Sequence, residues 1–260
     1  MIQYRAFLLL IALAQLSVTL ASKNIKRGLA FADGDTPGNV DIKKANTSSS
    51  VVSWQYNWGA TPPDYLSKSG IPFIPMQWGT SGIANFASIV KAQGAKTILG
   101  FNEPDLSSQS NINATYAATL WKQYINPLSN SGVRLGAPAV SSGSTGLPWL
   151  SAFLAACSGC TIDFIPLHWY GTGAQNFNKY IGQVHTQFPG RPLWVTEFAS
   201  TSLNDTEVYN FMVNTTSYMD SLSWIEGYSW FAFLRKQSGS AYNLMDAHGS
   251  LTTLGANYIN

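Results

Sequence analysis

The chain has 260 residues, 45% of them hydrophobic and 11% charged, with a formal charge of +2 at pH 7. That composition describes a well-buried globular chain with a polar, uncharged surface, long enough for one large domain or two small ones. No basic patch or run of like charge is present, which argues against nucleic acid and anionic membranes as partners.

Residues 1–21 come first. Arg5 precedes an apolar stretch that ends in the small-x-small sequence Thr19-Leu20-Ala21. This pattern reads as a secretory signal peptide cleaved after Ala21, leaving 22–260 as one domain. A membrane anchor is the alternative. However, the apolar core falls short of the roughly 20 residues a spanning helix needs, and Gln15 and Ser17 interrupt its end. The final residues, LTTLGANYIN, offer no hydrophobic tail for a lipid anchor. The expectation is a secreted monomer, extracellular or in a cell wall, with no membrane attachment after cleavage.

Eight apolar runs follow, each the length of a buried strand. They are KRGLAFA (26–32), VSWQYNW (52–58), PFIPMQW (72–78), KTILGFNEP (96–104), VRLGAPAV (133–140), DFIPLHWY (163–170), PLWVTEFA (192–199) and GYSWFAFL (227–234). Most are rich in Val, Ile, Phe or Trp, and several follow Gly or Pro. The gaps at 33–50 and 59–70 can hold only short or irregular helices. Later gaps carry helical patterns at 114–128, 147–157, 176–188 and 205–222. In the first of these, Tyr116, Leu120, Tyr124 and Leu128 fall four apart on one face. Asn113 and Asn204 are placed to cap the first and last. Strand–helix alternation repeated eight times predicts an α/β fold, a single irregular (β/α)8 TIM barrel with short or missing early helices. An open doubly wound sheet is the rival, but it would carry a Gly-rich phosphate loop after its first strand, and none is visible.

Cys157 and Cys160, in CSGC, are the only cysteines. In a secreted chain they predict a local disulfide, and a zinc site would need more ligands than these two. Asn-x-Ser/Thr sequons at Asn46, Asn113, Asn204 and Asn214 are candidate glycosylation sites, or chance matches.

In such a barrel the chemistry lies at the C-terminal strand ends. The chain has only four Glu residues, and two of them, Glu103 and Glu197, end the fourth and seventh runs. Glu207 falls in a helix's first turn, where a carboxylate favours the helix dipole. Glu226 precedes the eighth run, at the opposite face. Two carboxyl groups across a cleft suit glycosidic bond cleavage, which needs a proton for the leaving oxygen and support for a cationic sugar. His168 and Tyr170 share one face of the sixth strand, with Trp169 turned away. His168 could bind sugar or be a satisfied core histidine. Of nine Trp residues, Trp58, Trp78 and Trp230 fall at or near strand ends and are candidate sugar platforms. His185 and His248 receive no role. Asp33, Asp35 and Asp105 could hold an ion, though loop carboxylates are more often solvated or capping. No G-x-S-x-G or H-E-x-x-H sequence occurs. Neither a metal nor a cofactor is expected.

The motifs GFNEPD (100–105), FIPLHWYG (164–171), WVTEFA (194–199) and YSWF (228–231), in that order, resemble glycoside hydrolase family 128. The resemblance runs from about residue 27 to 256. It implies a secreted endo-β-1,3-glucanase of the retaining type, many relatives being fungal cell-wall proteins, with β-1,3-glucan as partner. Glu103 would be the acid/base and Glu197 the nucleophile. Asn102 would bond the 2-hydroxyl of the cleaved sugar, unless it merely caps the following turn. Tyr170 would hydrogen-bond Glu197. A β-glucan-binding wall protein with little hydrolysis, and a barrel glycosidase acting on another β-glycan, are the alternatives.

Overall fold

The computed structural model describes residues 22–32 and 38–260. The expected signal peptide, Asp33 and Asp35 lie outside the described residues. Among the described residues, seven parallel strands are formed: β1 (Arg27–Phe31), β2 (Trp54–Tyr56), β3 (Thr97–Ile98), β4 (Arg134–Leu135), β5 (Ile165–Gly171), β6 (Leu193–Ser200) and β7 (Ile225–Phe233). Five make a sheet in the order β2-β1-β7-β6-β5, and β3 pairs with β4. Single parallel bridges join the two sets: Gln55 to Phe73, Met76 to Leu99, Gly136 to Phe164 and Val140 to Leu167. These bridges close the circle, and the 72–78 run occupies the third of eight positions. It is not a continuous strand because Pro72 and Pro75 have no N–H to give to a ladder. Pro138 interrupts the fifth position in the same way. The architecture is an irregular (β/α)8 barrel.

The early helices are short, as expected: α1 (Gly38–Asp41) and α2 (Asp64–Ser67) have four residues each. The rest are α3 (Ile83–Gln93), α4 (Ala114–Leu120), α5 (Gly146–Ala156), α6 (Ala174–Gln187), α7 (Asp205–Ser221) and α8 (Thr253–Ile259). The helix α3 went unread in the sequence, although Ile83, Phe86 and Val90 make its buried stripe and Gly94 ends it at φ +64°. The expected helix over 114–128 is corrected. Its α-helical part stops at Leu120, a wider turn spans Trp121–Ile125, and a tighter one spans Asn126–Ser131 around Pro127. Ala117, Ala118, Leu120, Trp121, Ile125 and Leu128 face inward, while Tyr116 is exposed. Asn113 and Asn204 do cap α4 and α7, each side chain accepting from two backbone N–H groups. Cys157 and Cys160 are disulfide-bonded just after α5.

Side-chain alternation divides the core into two layers. Leu29, Phe31, Leu167, Val195, Phe198 and Trp230 face outward against the helices. Ala30, Trp54, Tyr56, Ile74, Met76, Leu99, Phe164 and Trp194 fill the barrel. Strand glycines make room for the largest rings. A Cβ at Gly28 would fall 2.2 Å from the Trp54 ring, and one at Gly227 would fall 2.5 Å from Trp194. Glu226 lies at the N-terminal end of β7, paired with Arg134 at 2.6 Å. Glu207 sits in the first turn of α7 and accepts from the Ser202 hydroxyl. Glu226 thus lies at the face away from the C-terminal strand ends.

Candidate active site

Register brings the site together. His168 on β5 pairs with Glu197 on β6, but only through a slip in the ladder, since Leu167 pairs with Val195. Thr196 is the extra residue. Its carbonyl accepts from the hydroxyls of Tyr56 and Ser229. Strict alternation would send Glu197 outward with Val195, and the bulge returns it to the barrel side. On the facing side, Glu103 follows the end of β3. Its N–H donates to the Ala139 carbonyl at 2.7 Å.

The two carboxylates meet at one imidazole. His168 Nδ1 lies 2.9 Å from Glu103 Oε1, and Nε2 lies 3.4 Å from Glu197 Oε1. The three groups present oxygen and nitrogen atoms all within 4.8 Å of one another. Glu197 is held further by Trp58 Nε1–H, donating to Oε1 at 2.7 Å, and by the Tyr170 hydroxyl, donating to Oε2 at 2.5 Å. Both nitrogens of His168 face carboxylates. Glu103, His168 and Glu197 are all buried. Packed apolar side chains would serve stability as well as such a cluster does, so its presence points to chemistry. The backbone agrees. Trp58 and Glu103 hold φ of +63° and +40°, a left-handed conformation that costs non-glycine residues ~1–3 kcal/mol each and clusters at functional sites.

The polar shell is tuned by the same charges. Burial lowers the pKa of His168, but the Glu197 charge and the hydrogen bond and charge of Glu103 outweigh it, and the net shift is upward. Burial, then the Glu197 charge, push the Tyr170 hydroxyl far up, so it remains a neutral donor. A histidine whose folded pKa exceeds its unfolded value stabilises fully below the unfolded pKa of ~6.5. That contribution disappears as pH rises through the raised folded value. His168→Gln should therefore lower the melting temperature most in mildly acidic buffer, and the gap from wild type should narrow towards pH 9. A gap independent of pH would reduce His168 to packing.

A cleft of ≈ 460 Å³ opens above the carboxylates, lined by Ala32, Trp58, Trp78, Glu103, Gln109, Tyr170, Glu197 and Phe231. Trp78 is the one exposed tryptophan among the described residues, at 39%, and stands as an aromatic platform. Trp58 lies at the cleft too, with its indole N–H committed to Glu197. Trp230 is corrected: it is fully buried on the helix side of β7, packed on Phe198 and Phe211, with its indole N–H on the Tyr242 carbonyl. Alternation gives the rim position to its neighbour Phe231. Trp169 packs on Phe177 and Phe211 in the barrel–helix layer. Asn102 is buried. Its Nδ2 donates to Gln109 Oε1 at 3.2 Å, while its Oδ1 has no partner. Gln109 and Phe231 were missed in the sequence. Gln109 comes from a loop without periodicity, and Phe231 was eclipsed by the adjacent Trp. Asp105 is a structural residue, accepting from Ser141 and Thr145.

Two carboxylates bridged at the C-terminal mouth of a parallel barrel, beneath an aromatic platform, define a glycoside hydrolase. A family model for the glycosyl hydrolase catalytic core matches residues 28–258. The chain belongs to that family and, within it, to glycoside hydrolase family 128. Alkali-sensitive linkage protein 1 of Schizosaccharomyces pombe is 37% identical over 248 residues, 90% of this chain. The chain spans 44% of that relative's length. Among solved structures, a curdlan-specific exo-β-1,3-glucanase from Blastomyces gilchristii, in complex with glucose, is 32% identical, with a TM-score of 0.77. That match covers 90% of this chain and 97% of the other. A Glu-to-Gln variant of an endo-β-1,3-glucanase from Amycolatopsis mediterranei, in complex with laminarihexaose, is 31% identical with a TM-score of 0.75, covering 90% and 98%.

Proposed function

We propose that this protein is a secreted retaining β-1,3-glucanase acting on cell-wall glucan. The observation that carries the reading is the spacing of Glu103 and Glu197. Retaining enzymes hold their carboxyl groups about 5–5.5 Å apart, whereas inverting ones leave about 6.5–9.5 Å for a water. Here oxygens of the pair lie within 4.8 Å. Glu103 delivers a proton to the glycosidic oxygen as Glu197 attacks the anomeric carbon. The C–O bond to the leaving sugar breaks and a glycosyl-Glu197 ester forms. Glu103 then takes a proton from water, whose oxygen displaces Glu197 and restores the starting configuration. Trp58 and Tyr170 aim the attacking carboxylate, Asn102 offers its unpartnered Oδ1 to a sugar hydroxyl, and Trp78 carries a sugar face.

The linkage comes from the relatives, whose substrates are β-1,3-glucans, and a neutral polymer suits a nearly neutral chain. The wall location draws on the same family. No helix among the described residues is long and apolar enough to cross a membrane. Asn46, Asn113, Asn204 and Asn214 are exposed, as glycan attachment requires. At Asn113 and Asn204 the helix cap uses Oδ1, leaving the cap intact when Nδ2 carries a glycan. The test is reducing-end release from laminarin beside cellulose and mannan oligomers. Release from laminarin alone is expected. Binding of laminarin without release would make this a glucan-binding wall protein, and release from another backbone would reassign the linkage.

A further inference from the structure

The strand that carries Glu197 is out of step with both of its neighbours. From Val195 to Glu197, β6 advances two residues while β5 advances one, from Leu167 to His168. From Val195 to Phe198 it advances three while β7 advances two, from Tyr228 to Trp230. Both offsets arise between Val195 and Phe198, where Thr196 is the inserted residue. Side chains alternate along a strand, so a slip of one residue that erased the bulge would turn Glu197 to the helix side, away from His168. Packing alone does not favour the bulge, since the Thr196 hydroxyl is buried without a hydrogen-bond partner, a net cost.

Two hydroxyls meet at the backbone carbonyl of that residue. Tyr56 reaches it from β2, past β1 and β7 in the sheet order, and donates at 2.8 Å. Ser229, the β7 residue opposite the offset, donates to the same oxygen. A carbonyl oxygen has two lone pairs, and both are taken. Tyr56, Thr196 and Ser229 are all buried. Burial, then the Glu197 charge, push the Tyr56 pKa well up, so its hydroxyl stays protonated and donating. The Tyr56 ring also lies 5.0 Å from the Trp58 ring, centroid to centroid, and Trp58 Nε1–H holds Glu197 Oε1. One side chain thus supports both the backbone before Glu197 and the indole that grips its carboxylate.

We propose that Tyr56 and Ser229 are positioning residues for the nucleophile, their hydroxyls pinning the Thr196 carbonyl and so keeping Glu197 aimed at the anomeric carbon. This rests on the glucanase reading and deepens it. Neither side chain lines the cleft, so the effect on the reaction passes through the bulged strand and Trp58. Phenylalanine and alanine would fill the same core space, which leaves the two hydroxyls as the groups that matter.

The test compares Tyr56→Phe, Ser229→Ala and the paired variant with wild type. The probe is 2-deoxy-2-fluoro-β-laminaribiosyl fluoride. A Glu197 oxygen bonds to its anomeric carbon, fluoride leaves with the electron pair, and the ester persists because the ring fluorine slows its hydrolysis. Mass spectrometry then gives both the rate of labelling and the fraction of protein labelled. The rate should fall about fivefold in each single variant and about 10²-fold in the pair, with complete labelling in the end. The pair loses more than the product of the singles because either hydroxyl alone still holds the carbonyl. On laminarin, kcat should fall in parallel at unchanged KM, and it takes the place of the labelling rate if wild type cleaves laminarin without being labelled. A merely structural role would lower the melting temperature and the fraction labelled at an unchanged rate, and that result overturns the proposal. If the pair does not fold, unchanged rates in both single variants overturn it equally. If wild type is neither labelled nor active, the glucanase reading fails, and NMR titration of the His168 imidazole reads the position of Glu197 separately. Burial lowers the His168 pKa, while the charges of Glu197, Glu103 and Asp105 raise it, Glu197 foremost. Turning Glu197 away should therefore lower that pKa in the variants, and an unchanged titration would sink the positioning role.

Discussion

Glu197→Gln should lose at least about 10⁴-fold in kcat on laminarin, the scale on which a covalent nucleophile is missed. The change keeps the shape of the side chain but removes the attacking oxygen. It also turns an NH2 towards one of the two donors, Trp58 Nε1–H and the Tyr170 hydroxyl, that now share the carboxylate. Set towards the Tyr170 oxygen, which can accept as well as donate, that NH2 replaces a charge-assisted hydrogen bond with a neutral one, a penalty of ~1–2 kcal/mol. Melting should therefore drop by several degrees at most, and laminarihexaose should still bind. Turnover near the wild-type rate would remove Glu197 from the reaction.

Glu103→Gln should behave differently, because a general acid matters in proportion to the basicity of the group that leaves. On laminarin the departing oxygen is an alkoxide and the loss should be about 10²–10⁴-fold. On an aryl β-glucoside with an acidic phenol, bond cleavage needs little proton transfer. The variant should release the first equivalent of phenol at close to the wild-type rate, then stall as the glycosyl ester waits for unassisted water. Azide, a nucleophile with no proton to give up, should restart turnover and yield a β-glycosyl azide. Equal losses on both substrates, with no burst, would falsify the acid/base assignment. Gln also replaces a carboxylate oxygen facing His168 Nδ1, so any change in binding at low pH is expected to follow the histidine.

The residues on regular strands were the legible part of this site. His168, Trp169 and Tyr170 alternate as a strand requires, and β5 is unbroken there. Glu197 was found for its chemistry and its place at a strand end, while its orientation depends on an extra residue at Thr196 that no alternation rule reveals. Trp230 failed for the complementary reason. Ring size drew attention to it, yet strand parity sends it into the helix layer and leaves Phe231 at the cleft. Prolines explain the rest of the gap between reading and fold. The third apolar run holds a barrel position through single bridges, because Pro72 and Pro75 remove the donors a ladder would use. Pro127 likewise divides an expected single helix into turns of three pitches. Gln109 was illegible because its value lies wholly in reaching Asn102, seven residues back.

The prolines have one more effect. The pairing of β5, β6 and β7 is long, though it slips at Thr196, whereas the barrel from residue 73 through β4 is joined by two-residue pairings and isolated bridges. Glu197 grows from the first half and Glu103 from the second. On the proposed mechanism the nucleophile would grow from the extensively paired half and the proton donor from the sparsely paired one, with the His168 ring bridging them.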